Sequence, residues 1–424
     1  MAQESKQSRA RNIQEMTQPS NATVKSGSVR FSPVLTIAIA QLFGTSLWFS
    51  ANSAADDLAR AWGLTATNIG MLTAAVQGGF ILGTMAFALL GLADRFSASR
   101  IFCISALLGA AFNVWFACLS GDFSAAIALR FAVGVCLAGI YPIGMKLIIS
   151  WAPDRAGAAL ALLVGMLTLG TALPHGLRIA AAQWPWQSVM AGASALACVA
   201  AALVIHLGNG PHLPVRRHGA PNPGNPLHAF RARQFRAVAV GYFGHMWELY
   251  AFWTVLPMLI ARSSLPALFG GLSISVLAFS IIGIGTLGCI LGGMLSRSVG
   301  SARVALVALA ISGACCLLLP FAADALSPGW LLFFFLIWGA TVIADSPQFS
   351  AMAAKACPPA LVGGALAIQN SIGFALTVVS IALASTCLGD LGMRTSWILL
   401  PGPLVGILGF LLLRRHSGRT AGTA

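Results

Sequence analysis

The sequence predicts an all-α integral membrane protein of twelve transmembrane helices, arranged as two pseudo-symmetric six-helix bundles, on three observations. First, the composition suits lipid rather than water: 8% of residues are charged and 58% hydrophobic, with a mean hydropathy of +0.84, well outside the range of soluble domains. Second, twelve apolar stretches follow one another along the chain. Third, the membrane pattern is written twice. LFGTSLWFSA from Leu42 returns as YFGHMWELYA from Tyr242, with Gly44 over Gly244 and Ala51 over Ala251. Asp94 then falls over Arg297, Pro142 over Pro347 and Leu160 over Leu366, with an offset that drifts slowly in one direction. Two copies of one unit with small loop insertions give that pattern, and copies read in the same direction are parallel repeats about an axis along the membrane normal.

Taken in order, residues 1–33 are polar and carry no short apolar core before a cleavage site, so they read as a cytoplasmic tail and the first helix directs insertion itself. The apolar stretches of the first bundle, 34–207, run 34–54, 66–90, 101–119, 123–149, 157–177 and 188–207. The segment 208–236 contains GNGPHLPVRRHGAPNPGNP, whose Pro, Gly and Asn content marks a cytoplasmic connector. The second bundle, 237–413, holds 237–260, 272–295, 302–321, 330–353, 362–386 and 396–413, before a tail at 414–424. Each stretch reaches the ~20 residues a helix needs to cross hydrocarbon.

The net charge of +14 invites a nucleic-acid partner, but its distribution argues against one. With both termini cytoplasmic, the basic residues gather in the tails and inside loops, while the outside loops keep Arg60, Arg178, Arg262 and Arg394. That asymmetry is the positive-inside rule and places the chain as a multi-pass cell-membrane protein, read as bacterial inner membrane. The nine cysteines sit mostly in apolar helices and form no paired ligand spacing, so neither disulfides nor a metal is expected. H-E-x-x-H, a phosphate-cradling G-x-x-x-x-G-K-[ST] and clustered His/Cys ligands are all missing from the sequence, which leaves metal catalysis and ATP-driven pumping without their parts. The expectation is therefore a protein that is not an enzyme, carries no cofactor and works as a monomer.

GLADRFSASR at 91–100, between the second and third helices, resembles the G-x-L-A-D-R-x-G-R-R loop of the major facilitator superfamily, and GMLSRSVGSAR from Gly293 resembles its degenerate second copy. Arg130 with Gly134 in the fourth helix is similar to that family's R-x-x-x-G pattern. Leu90, Ser97 and Arg297 depart from the family residues at their positions. The resemblance implies alternating access between two halves, with helices one, four, seven and ten lining the central cavity. It also makes Asp94, Arg95, Arg100, Arg297 and Arg303 candidate latches of a cytoplasmic gate, since contacts at that edge must break as the halves rock.

Ionisable residues inside the membrane are the strongest site signal, because a charge at the helix centre costs about 2.5–3.5 kcal/mol on insertion scales. Glu248 lies near the midplane of the seventh helix with His245 three residues earlier, on the same face. Both are proton-coupling candidates, together with Asp345 and Arg130. Gln41, Thr45, Trp48 and Asn52 form a stripe on the first helix at helical spacing, and the repeat sets Thr45 over His245 and Trp48 over Glu248, so the two stripes are expected to face one cavity. The tenth helix adds Trp338, Thr341, Asp345, Gln348 and Met352, and the fourth Arg130, Gly134, Leu137 and Tyr141. The reading is a secondary active transporter of a small solute, coupled to protons, with an anionic cargo suggested by Arg130. Export of drugs or metabolites by proton antiport is the alternative, and a non-transporting receptor or scaffold the reading from a different class.

Overall fold

The computed structural model describes residues 32–119, 121–181, 183–213, 226–268, 273–357 and 361–420. The middle of the expected connector, 214–225, lies outside the described residues. All described regular structure is helical. In chain order, α1 is Pro33–Thr45 continued by Ser50–Ser53 and Ala55–Trp62, α2 Ala66–Leu89, α3 Ala98–Ala117, α4 Phe123–Ala138 with Tyr141–Trp151, α5 Ala156–Ala180 and α6 Gln187–Leu207. The second repeat supplies α7 at Arg233–Ala261, α8 at Ser273–Gly283 with Gly285–Val299, α9 at Ser301–Ala325, α10 at Pro328–Ala344 with Ser346–Ala356, α11 at Val362–Leu391 and α12 at Ser396–Leu399 with Pro401–Thr420.

Local chemistry sets several of the boundaries. Thr65 and Asn68 form a capping box at the start of α2, and the Asp122 carboxylate accepts the Ala125 N–H at 3.0 Å to open α4. Gly300, at φ 90°, turns α8 into α9 in a conformation that side-chain-bearing residues avoid. The interruptions in α4 and α10 have one cause. Pro142 and Pro347 sit at the first turn of each second half-helix, where proline removes an N–H and crowds the carbonyl four residues back. Near that gap the Ile343 carbonyl accepts the Asp345 N–H and lies 3.6 Å from the Cys289 thiol.

Close helix packing repeats with the sequence. A Cβ at Gly134 of α4 would collide with the Val76 carbonyl of α2, and one at Gly339 of α10 with the Ile281 carbonyl of α8. Gly134 and Gly339 are repeat partners, so each half brings two helices to backbone contact through glycine, as small residues permit in membranes. The halves meet through α2 on α11 and α5 on α8. Along α5 the contact runs from Gly176 beside Phe279 to Ala161 beside Gly293. One continuous apolar core, including Trp48, Phe80, Tyr250 and Phe374, crosses the junction.

Candidate functional site

In α1 the helix opens over residues 46–49, which leaves backbone carbonyls without intrahelical partners. Arg130, fully buried in α4, fills that need: Nη2 donates to the carbonyls of Leu47 at 3.1 Å and Trp48 at 2.5 Å. Its Nη1 donates to Ser50 Oγ at 3.1 Å and Asn113 Oδ1 at 3.0 Å. Asn113 in turn donates to the Met190 carbonyl and Ser194 Oγ, both at 3.1 Å, so α1, α3, α4 and α6 are tied into one network. The sequence reading aimed Arg130 at a cargo or a carboxylate. The structure surrounds it with neutral oxygens of its own bundle, leaving Nε without a hydrogen bond.

The repeat partner of this opened turn is intact, and carries an acid. Glu248, 1% exposed, lies in unbroken α7. Its Oε1 accepts from Trp338 Nε1 at 2.7 Å and the Cys316 thiol at 3.2 Å, and its Oε2 from Ser312 Oγ at 2.9 Å. Three donors from α9 and α10 thus converge on one carboxyl in the interior of the second bundle. Trp338 is itself fixed by Phe252, whose ring stacks on it at a centroid distance of 4.2 Å.

His245 and Glu248 do share a face, but they take different partners. His245 Nδ1 stands 2.7 Å from Asp345 Oδ1, with both side chains 1% exposed. The approach is at ion-pair distance. Asp345 is the residue between the two segments of α10. A buried acid–imidazole pair therefore sits at the interruption that Pro347 creates.

Of the α1 stripe, Trp48 meets residues of the second half, while Gln41, Thr45 and Asn52 pack within the first. Asn52 Nδ2 donates to Thr73 Oγ1 of α2 at 2.8 Å, and the Thr45 hydroxyl to the Gln41 carbonyl at 2.7 Å. The Gln41 amide lies against Gly144 of α4. Trp48 crosses to the other half, its ring centroid 5.4 Å from Tyr250, 5.8 Å from Phe374 and 5.0 Å from Phe80. Tyr141 joins this cluster through Phe80 at 6.5 Å, while Gln348 is buried in the second segment of α10.

At the loop edge, Arg95, Arg100, Arg297 and Arg303 are exposed, and the Asp94 side chain lies outside the described residues. What the structure does show there is Asn209, whose Oδ1 accepts the Ser99 N–H at 2.9 Å, holding the 91–100 loop to the end of α6. At the opposite end Arg178 bridges to Asp57 at 2.9 Å, and Asp57 to Arg60 at 2.7 Å.

The Major Facilitator Superfamily model matches residues 37–382. The chain belongs to the Major Facilitator Superfamily. Among solved structures it is similar to a mutant of the nucleoside transporter NupG, at TM-score 0.68 and 12% identity over 90% of this chain and 99% of that one. It is also similar to the proton:xylose symporter XylE bound to 6-bromo-6-deoxy-D-glucose, at TM-score 0.71 and 14% identity over 91% of this chain and 96% of that one. At these identities the likeness is one of fold. No curated protein matches the sequence.

Further buried polar and aromatic groups come from helices other than one, four, seven and ten. Phe80 and Gln77 come from α2, and Phe374 and Gln369 from α11; both glutamine side chains are fully buried without hydrogen-bond partners. A glutamine in the middle of an apolar stretch was signal enough to find them, but attention to four helices passed over it. Ser312 and Cys316 were missed too, although the repeat places Cys316 over Asn113, which already partners Arg130.

Proposed function

We propose that the protein is a proton-coupled secondary transporter working by alternating access, with its cargo held between the two halves around Trp48, Tyr250 and Phe374. The observation that carries this reading is the His245–Asp345 pair at 2.7 Å, buried at the interruption of α10. A proton exchanged there changes the attraction between α7 and the hinge of α10, the kind of element whose two arrangements a coupling ion can bias. Glu248, bound by three donors in α9 and α10, is the second acid through which protonation reaches the same helices.

The cargo is small, and the chemistry around it is aromatic and amide rather than ionic. An anionic cargo would need Arg130 to release the Leu47 and Trp48 carbonyls it now holds. The second reading, export of drugs or metabolites by proton antiport, is favoured by the ring cluster that joins the halves, since stacked aromatics accept flat apolar molecules without charge matching.

The test is a liposome assay across small organic anions, neutral polar solutes and hydrophobic drugs, comparing wild type with Asp345→Asn and Glu248→Gln. These variants keep shape and remove the titrating proton. Accumulation driven by a pH gradient should be lost while exchange of labelled for unlabelled substrate persists. Unchanged accumulation in both variants would refute the proton sites, and binding without flux in wild type would make the protein a receptor.

A further inference from the structure

A concavity lies outside the junction between the halves. It is a cavity of about 400 Å³ at the end of the second bundle that carries the α8–α9 turn, walled by the start of α7, the start of α9 and the ends of α10 and α12. Three cations converge on it from three different helices: Arg303 of α9, Lys355 of α10 and Arg414 of α12. Its lining includes no acidic residue, and none of the three cations forms a salt bridge among the described residues. Like charges drawn into one concavity repel and are held there at a cost unless an anion offsets them.

The other walls narrow the choice of anion. Gln234 and Ser301 add neutral polar groups, and Gly300 gives the first turn of α9 no side-chain cap. Val238, Met352 and Phe410 make the rest of the lining apolar. On the helices that reach the cavity, Leu295 of α8 and Leu408 and Leu412 of α12 are exposed at 53%, 57% and 57%, as lipid-facing side chains are. The mouth is therefore cationic where it meets the loops and apolar where it meets the bilayer, and the volume falls within the range of about 300–1,000 Å³ typical of small-ligand sites.

We propose that this cavity binds a phosphate group, either the headgroup of an anionic phospholipid or free phosphate, between Arg303, Lys355 and Arg414. Basic pockets between membrane helices on the basic side of a chain take lipid headgroups by this chemistry. Arginine supplies paired donors to phosphate oxygens, and lysine a compact charge. Lys355 closes the second segment of α10, Ser346–Ala356, which begins next to Asp345. An occupant would tie that segment to α9 and α12, and so set how freely the α10 hinge moves.

The experiment uses the full-length protein in neutral detergent and follows its thermal unfolding midpoint. The additions are phosphatidylglycerol, phosphatidylcholine and inorganic phosphate, to wild type, to the combined Arg303→Gln/Lys355→Gln/Arg414→Gln variant, and to Arg60→Gln at the opposite end as control. Phosphatidylglycerol should raise the midpoint of wild type and of Arg60→Gln by several degrees, while the combined variant needs at least ten times more lipid for the same rise. An equal rise with inorganic phosphate assigns the site to the phosphate group alone; a rise with phosphatidylglycerol only assigns it to the lipid. If the combined variant does not fold, each single substitution should still raise the half-saturating concentration several-fold. An equal response to phosphatidylcholine and phosphatidylglycerol, no response to either anion, or an unaltered response in the variants overturns the proposal.

Discussion

The Trp48 indole is stacked on the Tyr250 ring at a centroid distance of 5.4 Å and an interplanar angle of 29°, an aromatic pair that bridges the two repeats. Such a pair contributes about 0.5–1.5 kcal/mol beyond its area, enough to shift a two-state balance by roughly two- to tenfold. Tyr250→Leu should produce that shift and Tyr250→Phe should not. Distance distributions between spin labels at Trp184 and Leu326, in a cysteine-free background, would show it as a changed ratio of two populations.

Arg130 is the centre of four donated hydrogen bonds to neutral oxygens. Hydrogen bonds involving a charged group contribute about 1.5–3 kcal/mol each, and lysine cannot reproduce the planar fork. Arg130→Lys should lower the thermal midpoint in detergent markedly, and Arg130→Ala should lower it further or prevent folding. If Arg130→Lys were as stable as wild type but transported nothing, the residue would act on cargo rather than on α1.

Trp338→Phe isolates one bond at Glu248, because a phenyl ring can keep the stack on Phe252 while losing the N–H that donates at 2.7 Å. Loss of one donor from a buried partner, about 1–3 kcal/mol, corresponds to a fall of roughly five- to a hundredfold in gradient-driven rate if that bond is made in only one facing state. Phe335→Leu, which removes a ring stacked on Trp338 at 6.2 Å but leaves the indole N–H in place, is the comparison. Equal rates in both variants would show that the ring matters and the hydrogen bond does not.

Gly134→Ala and Gly339→Ala each drive a methyl into a carbonyl of the neighbouring helix. Overpacking of this kind costs about 1–3 kcal/mol, and the two repeats should suffer alike. Gly157→Ala on α5 meets nothing within 4 Å and should be neutral or mildly stabilising. Thermal midpoints of the three variants check the ordering.

Where apolar length alone decides, the sequence and the structure agree closely: the sixth span was expected at 188–207 and is Gln187–Leu207, the second at 66–90 and is Ala66–Leu89. The interruptions of α4 and α10 were legible through Pro142 and Pro347, since proline acts locally. The opening of α1 at 46–49 was not, because neither proline nor glycine marks it and the group that satisfies its carbonyls lies in another helix. The same limit separated His245 from Glu248. Spacing of three residues places two side chains on one face, but which of them meets Asp345 and which meets Trp338 depends on where α9 and α10 stand.

The bond from Arg130 to the opened turn of α1 spans about 80 residues of chain. At roughly 5–20 residues per second, the ribosome delivers Arg130 on the order of 4–16 s after Ser50. During that interval the carbonyls of Leu47 and Trp48 have no guanidinium to accept from, and in hydrocarbon an unsatisfied backbone group is costly. Until the fourth helix arrives, the opened turn has only local donors such as the Ser50 hydroxyl, which reaches the Leu47 carbonyl at 3.1 Å. The hydrogen bonding of the first membrane segment is thus completed by a residue that the ribosome has yet to add when that segment is made.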